Sequence, residues 1–161
     1  MNAARIIATI GLIILADQAT KTIALSVLPH GNPVLVLPGF TLTLGFNEGA
    51  SFGLLGGIMA GKSLLMAALT GGLALIFAVM AFRARHPLER VGLALVVGGA
   101  LGNIADRLRQ GAVTDFLDLS WGNWHWPAFN IADIGITLGA LCILLAALPS
   151  RRRKAAVLDQ H

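Results

Sequence analysis

Residues Asn103 to Asp133 read NIADRLRQGAVTDFLDLSWGNWHWPAFNIAD. This polar stretch is flanked by two apolar runs, Val91 to Ala105 before it and Ile134 to Leu148 after it. Four of the chain's eight carboxylates fall inside it: Asp106, Asp115, Asp118 and Asp133. A polar segment pinned between two candidate membrane helices lies at the membrane surface. Charge so close to hydrocarbon is costly, and it marks a place where function is to be sought.

The remainder of the chain supports a membrane setting. Of its 161 residues, 56% are hydrophobic and 12% charged, and the mean hydropathy is +0.77. A soluble domain carries about 25% charged residues. The 19 glycines suit helices that pack closely in lipid. Cys142 is the single cysteine and lies in an apolar run, so no intramolecular disulfide can form. The net charge of +4 reads as topology rather than as a nucleic-acid footprint, because of where the basic residues fall.

The expected fold is an all-α polytopic membrane protein with four transmembrane helices and a small extracytoplasmic β-hairpin or cradle. The spans are residues 6–28, 63–82, 91–107 and 130–148 of one integral membrane domain, with outer loops at 29–62 and 108–129. The first span, Ile6 to Leu28, could be a signal peptide, but it lacks a small-x-small cleavage site and is interrupted by Asp17, Gln18, Thr20 and Lys21. It reads as an uncleaved helix. Asp17 and Lys21 share a face at i,i+4, either as a helix-end pair with Lys21 reaching to the interface or in contact with substrate. Val34–Leu37 and Thr41–Leu44 are β-prone around a Pro38-Gly39 turn. Ser63 to Phe82 is twenty residues without a charge, enough to cross about 30 Å of hydrocarbon. Arg5, the Arg83–Arg90 loop and the Arg151–Lys154 tail fall on one side, which the positive-inside rule makes cytoplasmic together with both termini. The polar features then meet on the outer face.

Several chemistries are open to these residues. His30 and His125 could share that face, but no H-E-x-x-H or C-x-x-C motif points to a metal. Gly49-Ala50-Ser51-Phe52-Gly53 fits G-x-S-x-G as letters, with His125 as the available base, but no strand leads into it. Asp115 in Val113-Thr114-Asp115-Phe116-Leu117 and Asp133 at the mouth of the fourth helix offer a carboxylate pair. Two carboxylates held close in low dielectric share one proton. One can then accept a proton from attacking water while the other polarises a peptide carbonyl. Taken singly, each Asp could instead be a helix cap or an ion-pair partner. Asn103, Asp106 and Arg107 share one helix face, Arg107 being able to hold Asp106 or bond substrate carbonyls. Arg109 and Asp118 read as solvated surface, and Trp121, Trp124 and Trp126 as interfacial anchors. A proton-coupled transporter using Asp17, Lys21 and Asp133 as relay groups, or a lipid-binding scaffold, are the rival readings.

Four blocks, in order, resemble the bacterial lipoprotein signal peptidases (signal peptidase II). They are Asp17-Gln18-Ala19-Thr20-Lys21; Asn47-Glu48-Gly49-Ala50-Ser51-Phe52-Gly53; Gly102-Asn103-Ile104-Ala105-Asp106-Arg107 with Gly111-Ala112-Val113-Thr114-Asp115-Phe116; and Phe129-Asn130-Ile131-Ala132-Asp133. The resemblance implies an aspartic protease of the bacterial cytoplasmic membrane. It would cut a diacylglyceryl-modified prolipoprotein before the lipidated Cys, at the outer face, with no cofactor, and nothing in the sequence requires more than a monomer. It implies Asp115 and Asp133 as the catalytic dyad. Asn47, Gly49, Asn103, Arg107 and Asn130 would bind substrate or orient the dyad, and Asp17, Lys21, Asp106 and Ala132 would support the site. It also implies membrane lipid and globomycin-type inhibitors as partners.

Overall fold

The computed structural model describes residues 2–49 and 62–148. The serine of the G-A-S-F-G run and the Arg151–Lys154 tail lie outside the described residues. In chain order the elements are α1 (Ala3–Val27), β1 (Val34–Leu37), β2 (Phe40–Asn47), α2 (Ser63–Arg83), α3 (Pro87–Gln110), β3 (Val113–Trp121), β4 (Trp124–His125) and α4 (Ile131–Ala147). α1, α2 and α3 are long and apolar enough to cross a membrane. At 17 residues, α4 spans about 26 Å, slightly less than a hydrocarbon core. The expected spans agree with these helices to within a few residues. The basic loop expected at Arg83–Arg90 shrinks to a few residues, because Pro87 starts α3 early, at the position where its missing N–H costs nothing.

α3 is the hub, packing against α1, α2 and α4. Its sequence suits both ends: Glu89 in the first turn, Arg107 and Arg109 in the last, and Gly111 closing it at φ 81°. α2 buries Ala67, Ala74 and Ala81, one residue every seven, while Leu69, Leu73 and Ile76 stay exposed. In water such a face would be a liability; in lipid it is the outer wall. Between α3 and α4 the backbones nearly touch. A Cβ added at Gly139 would sit 2.5 Å from the Gly92 carbonyl oxygen, and one at Gly92 would sit 2.6 Å from that of Gly139. Only glycine permits this approach.

Apolar clusters tie the two ends of the bundle. Ile6, Ala81, Ala84 and Leu93 form one, and it gathers Arg5, Arg83 and Arg90 at the same end. Ala24, Leu28 and Phe116, with Leu42, Leu117 and Ile131 against them, form the other and seat the sheet on α1 and α4.

The sheet exceeds the expected hairpin. Its order is β1-β2-β3-β4, all antiparallel. Pro38-Gly39 makes the β1–β2 turn, Gly39 at φ 83°. Residues 108–129, expected as a loop, instead finish α3 and then supply β3 and β4. Their carboxylates drew the reading toward solvent. The run V-T-D-F-L-D-L-S-W between Gly111 and Gly122 is nonetheless strand-like, and β2 needs a partner for its backbone groups. Between Leu42 and Gly45 the β2–β3 register slips by one residue, a bulge next to Asp115.

Replacing Gly139 by Ala should lower thermal stability by about 1–3 kcal/mol, because the new methyl meets main chain that cannot yield. Gly72→Ala, with nothing within 4 Å of the added carbon, should leave stability nearly unchanged in the same thermal-melt comparison.

Candidate active site

Asp115 and Asp133 come from different elements. β3 carries Asp115 opposite Gly45 of β2, and Asp133 lies in the first turn of α4. The start of α4 is specified locally. The Asn130 side chain accepts the Asp133 N–H at 3.0 Å, and Asp133 Oδ2 accepts the Asn130 N–H at 3.2 Å, a reciprocal capping box.

Two asparagine amides join the carboxylates. Asn130 Nδ2 donates to Asp115 Oδ1 at 2.7 Å and to Asn103 Oδ1 at 3.2 Å. Asn103 Nδ2 donates to Asp133 Oδ1 at 2.9 Å. Asn47, at the end of β2, donates from Nδ2 to Asp115 Oδ2 at 3.3 Å, and its own Oδ1 accepts the Gly49 N–H at 3.1 Å. Burial pushes the Asp115 carboxyl up to about 6, and the neighbouring Asp133 charge pushes the same way. The bonds from Asn130 and Asn47 and the charge of Lys21 oppose the rise.

Beneath the pair lies a buried ionic knot. Lys21, 1% exposed, places Nζ 2.8 Å from Asp17 Oδ2, 2.9 Å from Asp106 Oδ2 and 2.9 Å from Asn103 Oδ1. Lys21 therefore does not reach out to the interface. Its face of α1 packs on α3, and the carboxylates there hold it inside. Asp17 Oδ1 accepts the backbone N–H of Ala132, which is fully buried.

Arg107 differs from the other expected site residues. No hydrogen bond joins it to the dyad, and its Nε is buried with no partner among the described residues. Its charge nevertheless lies within electrostatic reach of Asp115, Asp133 and Asp106. A groove of about 230 Å³ opens beside Asp133, lined by Trp126, Phe129, Ile134, Thr137 and Leu138.

Some participants were not anticipated. Gln18 Nε2 bonds Asp17, Asp106 and the Gly102 carbonyl, and Gln18 Oε1 accepts from Arg109 at 2.8 Å. Arg109 is thus a partner of the network and not only solvated surface. The available signal was an amide beside an aspartate in an apolar span. Trp126 lines the groove, a role its interfacial reading left out. His125 is exposed and faces Asp118 at 3.5 Å, away from any hydrogen bond to the dyad.

A sequence model of the family described as Signal peptidase (SPase) II matches residues 9–149. The chain belongs to the signal peptidase II family. It is a membrane protease of that family, and its relatives agree. A lipoprotein signal peptidase of Burkholderia mallei is 43% identical over 83% of this chain and 81% of that protein. One from Hydrogenovibrio crunogenus is 39% identical over 89% of this chain and 87% of that protein. Two solved structures titled as a bacterial membrane enzyme, at 2.3 Å and 1.9 Å resolution, superpose with TM-scores of 0.79 and 0.80 at 28% identity. They cover 89% and 92% of this chain and 87% and 95% of their own.

Asp115 titrates higher when folded than an ordinary carboxyl. Its contribution to stability is therefore complete below the ordinary carboxylate range and is lost as pH rises through about 6. Wild type should lose on the order of 3 kcal/mol between pH 4 and pH 8 from this group, and Asp115→Asn should lose that much less, read from denaturant melts at both pH values. Asp133→Asn should move the Asp115 midpoint down, but not fully to the ordinary value, because burial is the larger cause; the carboxyl infrared band reports it.

Proposed function

We propose that this signal peptidase II is an aspartic endopeptidase that removes the signal peptide from diacylglyceryl-modified prolipoproteins, with Asp115 and Asp133 as the catalytic dyad. The observation that carries the reading is the pair of amides, Asn103 and Asn130, that bond each other and one carboxylate each. They hold the carboxylates in one polar site while each keeps lone pairs for water.

The two carboxyls share one proton. The ionised one takes a proton from water as that water attacks the scissile carbonyl. The protonated one donates to the carbonyl oxygen, and the proton later passes to the leaving amine. Asp115, raised to about 6, is well suited to hold the proton. Arg107, with a donor in hand, bonds a substrate carbonyl, and Asn47 and Gly49 border the cleft from the β2 side. The apolar groove beside Asp133 receives the apolar part of the substrate. The acyl chains remain in lipid, where each CH₂ contributes about 0.8 kcal/mol.

The cations support an orientation. Arg5, Arg83, Arg85 and Arg90 lie at the bundle end away from the sheet, so that end faces the cytoplasm and the dyad faces outward. The bacterial inner membrane, globomycin-type peptides as inhibitors of the cleft, and a monomer acting alone belong to the same reading.

The test is cleavage of a diacylglyceryl-modified prolipoprotein by purified wild type, Asp115→Asn and Asp133→Asn, with melts recorded alongside. Each variant should remain folded and lose about 10³-fold or more in kcat, and wild type should show a bell-shaped pH profile. A folded variant that cuts at the wild-type rate would remove that aspartate from the mechanism.

A further inference from the structure

Among the described residues Lys21 has two carboxylate partners, and each does a second thing. Asp17 Oδ1 accepts the main-chain N–H of Ala132 at 2.9 Å. Asp106 Oδ2 accepts the main-chain N–H of Thr114 at 3.1 Å. Ala132 immediately precedes Asp133, and Thr114 immediately precedes Asp115. The third partner, Asn103, accepts from Lys21 through Oδ1 and donates to Asp133 through Nδ2. Three routes, each one side chain long, thus run from a single ammonium to the two reacting aspartates.

We infer that Lys21, Asp17 and Asp106 are positioning residues for the dyad: the buried cation fixes two carboxylates, and each carboxylate fixes the main-chain N–H just before one catalytic aspartate. The inference rests on the dyad reading above. Lys21 also helps to set the sense of an amide. An ammonium only donates, so Asn103 must turn its oxygen to Lys21 and its NH₂ to Asp133. Asn130 Nδ2 donates to the same oxygen at 3.2 Å, so the two donors together hold the amide in the sense that turns its NH₂ to Asp133. Gln18 clamps the arrangement, donating to Asp17 Oδ2 at 3.1 Å and to Asp106 Oδ1 at 3.0 Å.

A tie that only fastened α1 to α3 would need no such pairing. Packed apolar side chains hold helices as well as a buried ion triad does, or better. What apolar residues cannot do is grip two N–H groups on β3 and α4 at once. A displacement of about 1 Å at the dyad is enough to cost some 10²-fold in rate, so the consequence of losing the grip falls on kcat. Among the described residues, the charged groups facing the assembly are Asp17 and Lys21 from α1, Asp106, Arg107 and Arg109 from α3, Asp115 from β3 and Asp133 from α4.

The full-length enzyme in detergent is assayed with diacylglyceryl-modified prolipoprotein, separating kcat from KM, at several pH values and with melts. Lys21→Gln, Asp17→Asn and Asp106→Asn are compared with Asp115→Asn and Asp133→Asn. The expected result is a kcat loss of about 10²-fold in each of the first three, with KM little changed. In Lys21→Gln the alkaline limb should also move upward, since the lysine charge holds Asp115 down. If Lys21→Gln does not fold, Asp106→Asn carries the same kcat test, because its NH₂ must face donors on either side, Lys21 and the Thr114 N–H or Gln18 and Arg109. A folded Lys21→Gln or Asp106→Asn with wild-type kcat overturns the inference. So does activity that falls only in proportion to folded protein with the pH profile unmoved. If Asp115→Asn or Asp133→Asn cleaves normally, the dyad reading itself falls and takes this inference with it; if both are inactive while Lys21→Gln is not, the positioning role alone is lost.

Discussion

A lysine ammonium buried among helices is the constraint on which this structure depends. Taking such an ion out of water costs several kcal/mol even after relaxation. Lys21 recovers it only when α1 and α3 are docked, because Asp17 comes from one and Asp106 and Asn103 from the other. The knot carries two carboxylates to one cation, so the surplus negative charge must find donors of its own. Gln18, Arg109 and two main-chain N–H groups provide them. Even the glycine of the G-N-I-A-D-R block follows from this. A Cβ at Gly102 would sit 2.6 Å from Asp17 Oδ2, in the space the carboxylate needs to reach Lys21.

The membrane shapes the remainder. Outside the knot, the helices turn leucines and isoleucines outward and small residues inward, because lipid supplies no hydrophobic drive between helices and close packing must replace it. The sheet is placed where backbone groups can meet water or each other. β3 follows α3 after a short turn at Gly111 and Ala112, so the helix that supplies Asn103 and Asp106 leads straight into the strand that supplies Asp115. A bulge in β2 beside Asp115 adjusts the strand locally. The site is thus assembled from α3 and its continuation, closed by the first turn of α4 and braced by α1.

Much of this was legible in the chain. Apolar run lengths marked the four helices, and Pro38-Gly39 marked the hairpin. The carboxylates of the polar stretch, together with four ordered blocks, pointed to the candidate site. What was not legible has physical causes. Residues 113–121 carry charge at Asp115 and Asp118, which hides a strand whose partner β2 lies about seventy residues earlier. The i,i+4 pairing of Asp17 with Lys21 was visible, but not its depth, since burial depends on the face α3 presents. Gln18 gains its role mainly through contacts with Gly102, Asp106 and Arg109, residues 84 to 91 away in sequence, which no local spacing announces.

The glycine contact between α3 and α4 bears on how a guest enters. With the Gly92 and Gly139 main chains nearly touching, no side chain or acyl chain can be admitted along that seam. The other flank of α4 is different: Thr137 and Leu138 are exposed, and the cavity beside Asp133 opens there. α4 is thus a doorpost, welded to its neighbour on one side and free on the other. Among the described residues, a prolipoprotein diffusing in the bilayer would meet a closed seam on one flank of α4 and an open cavity on the other.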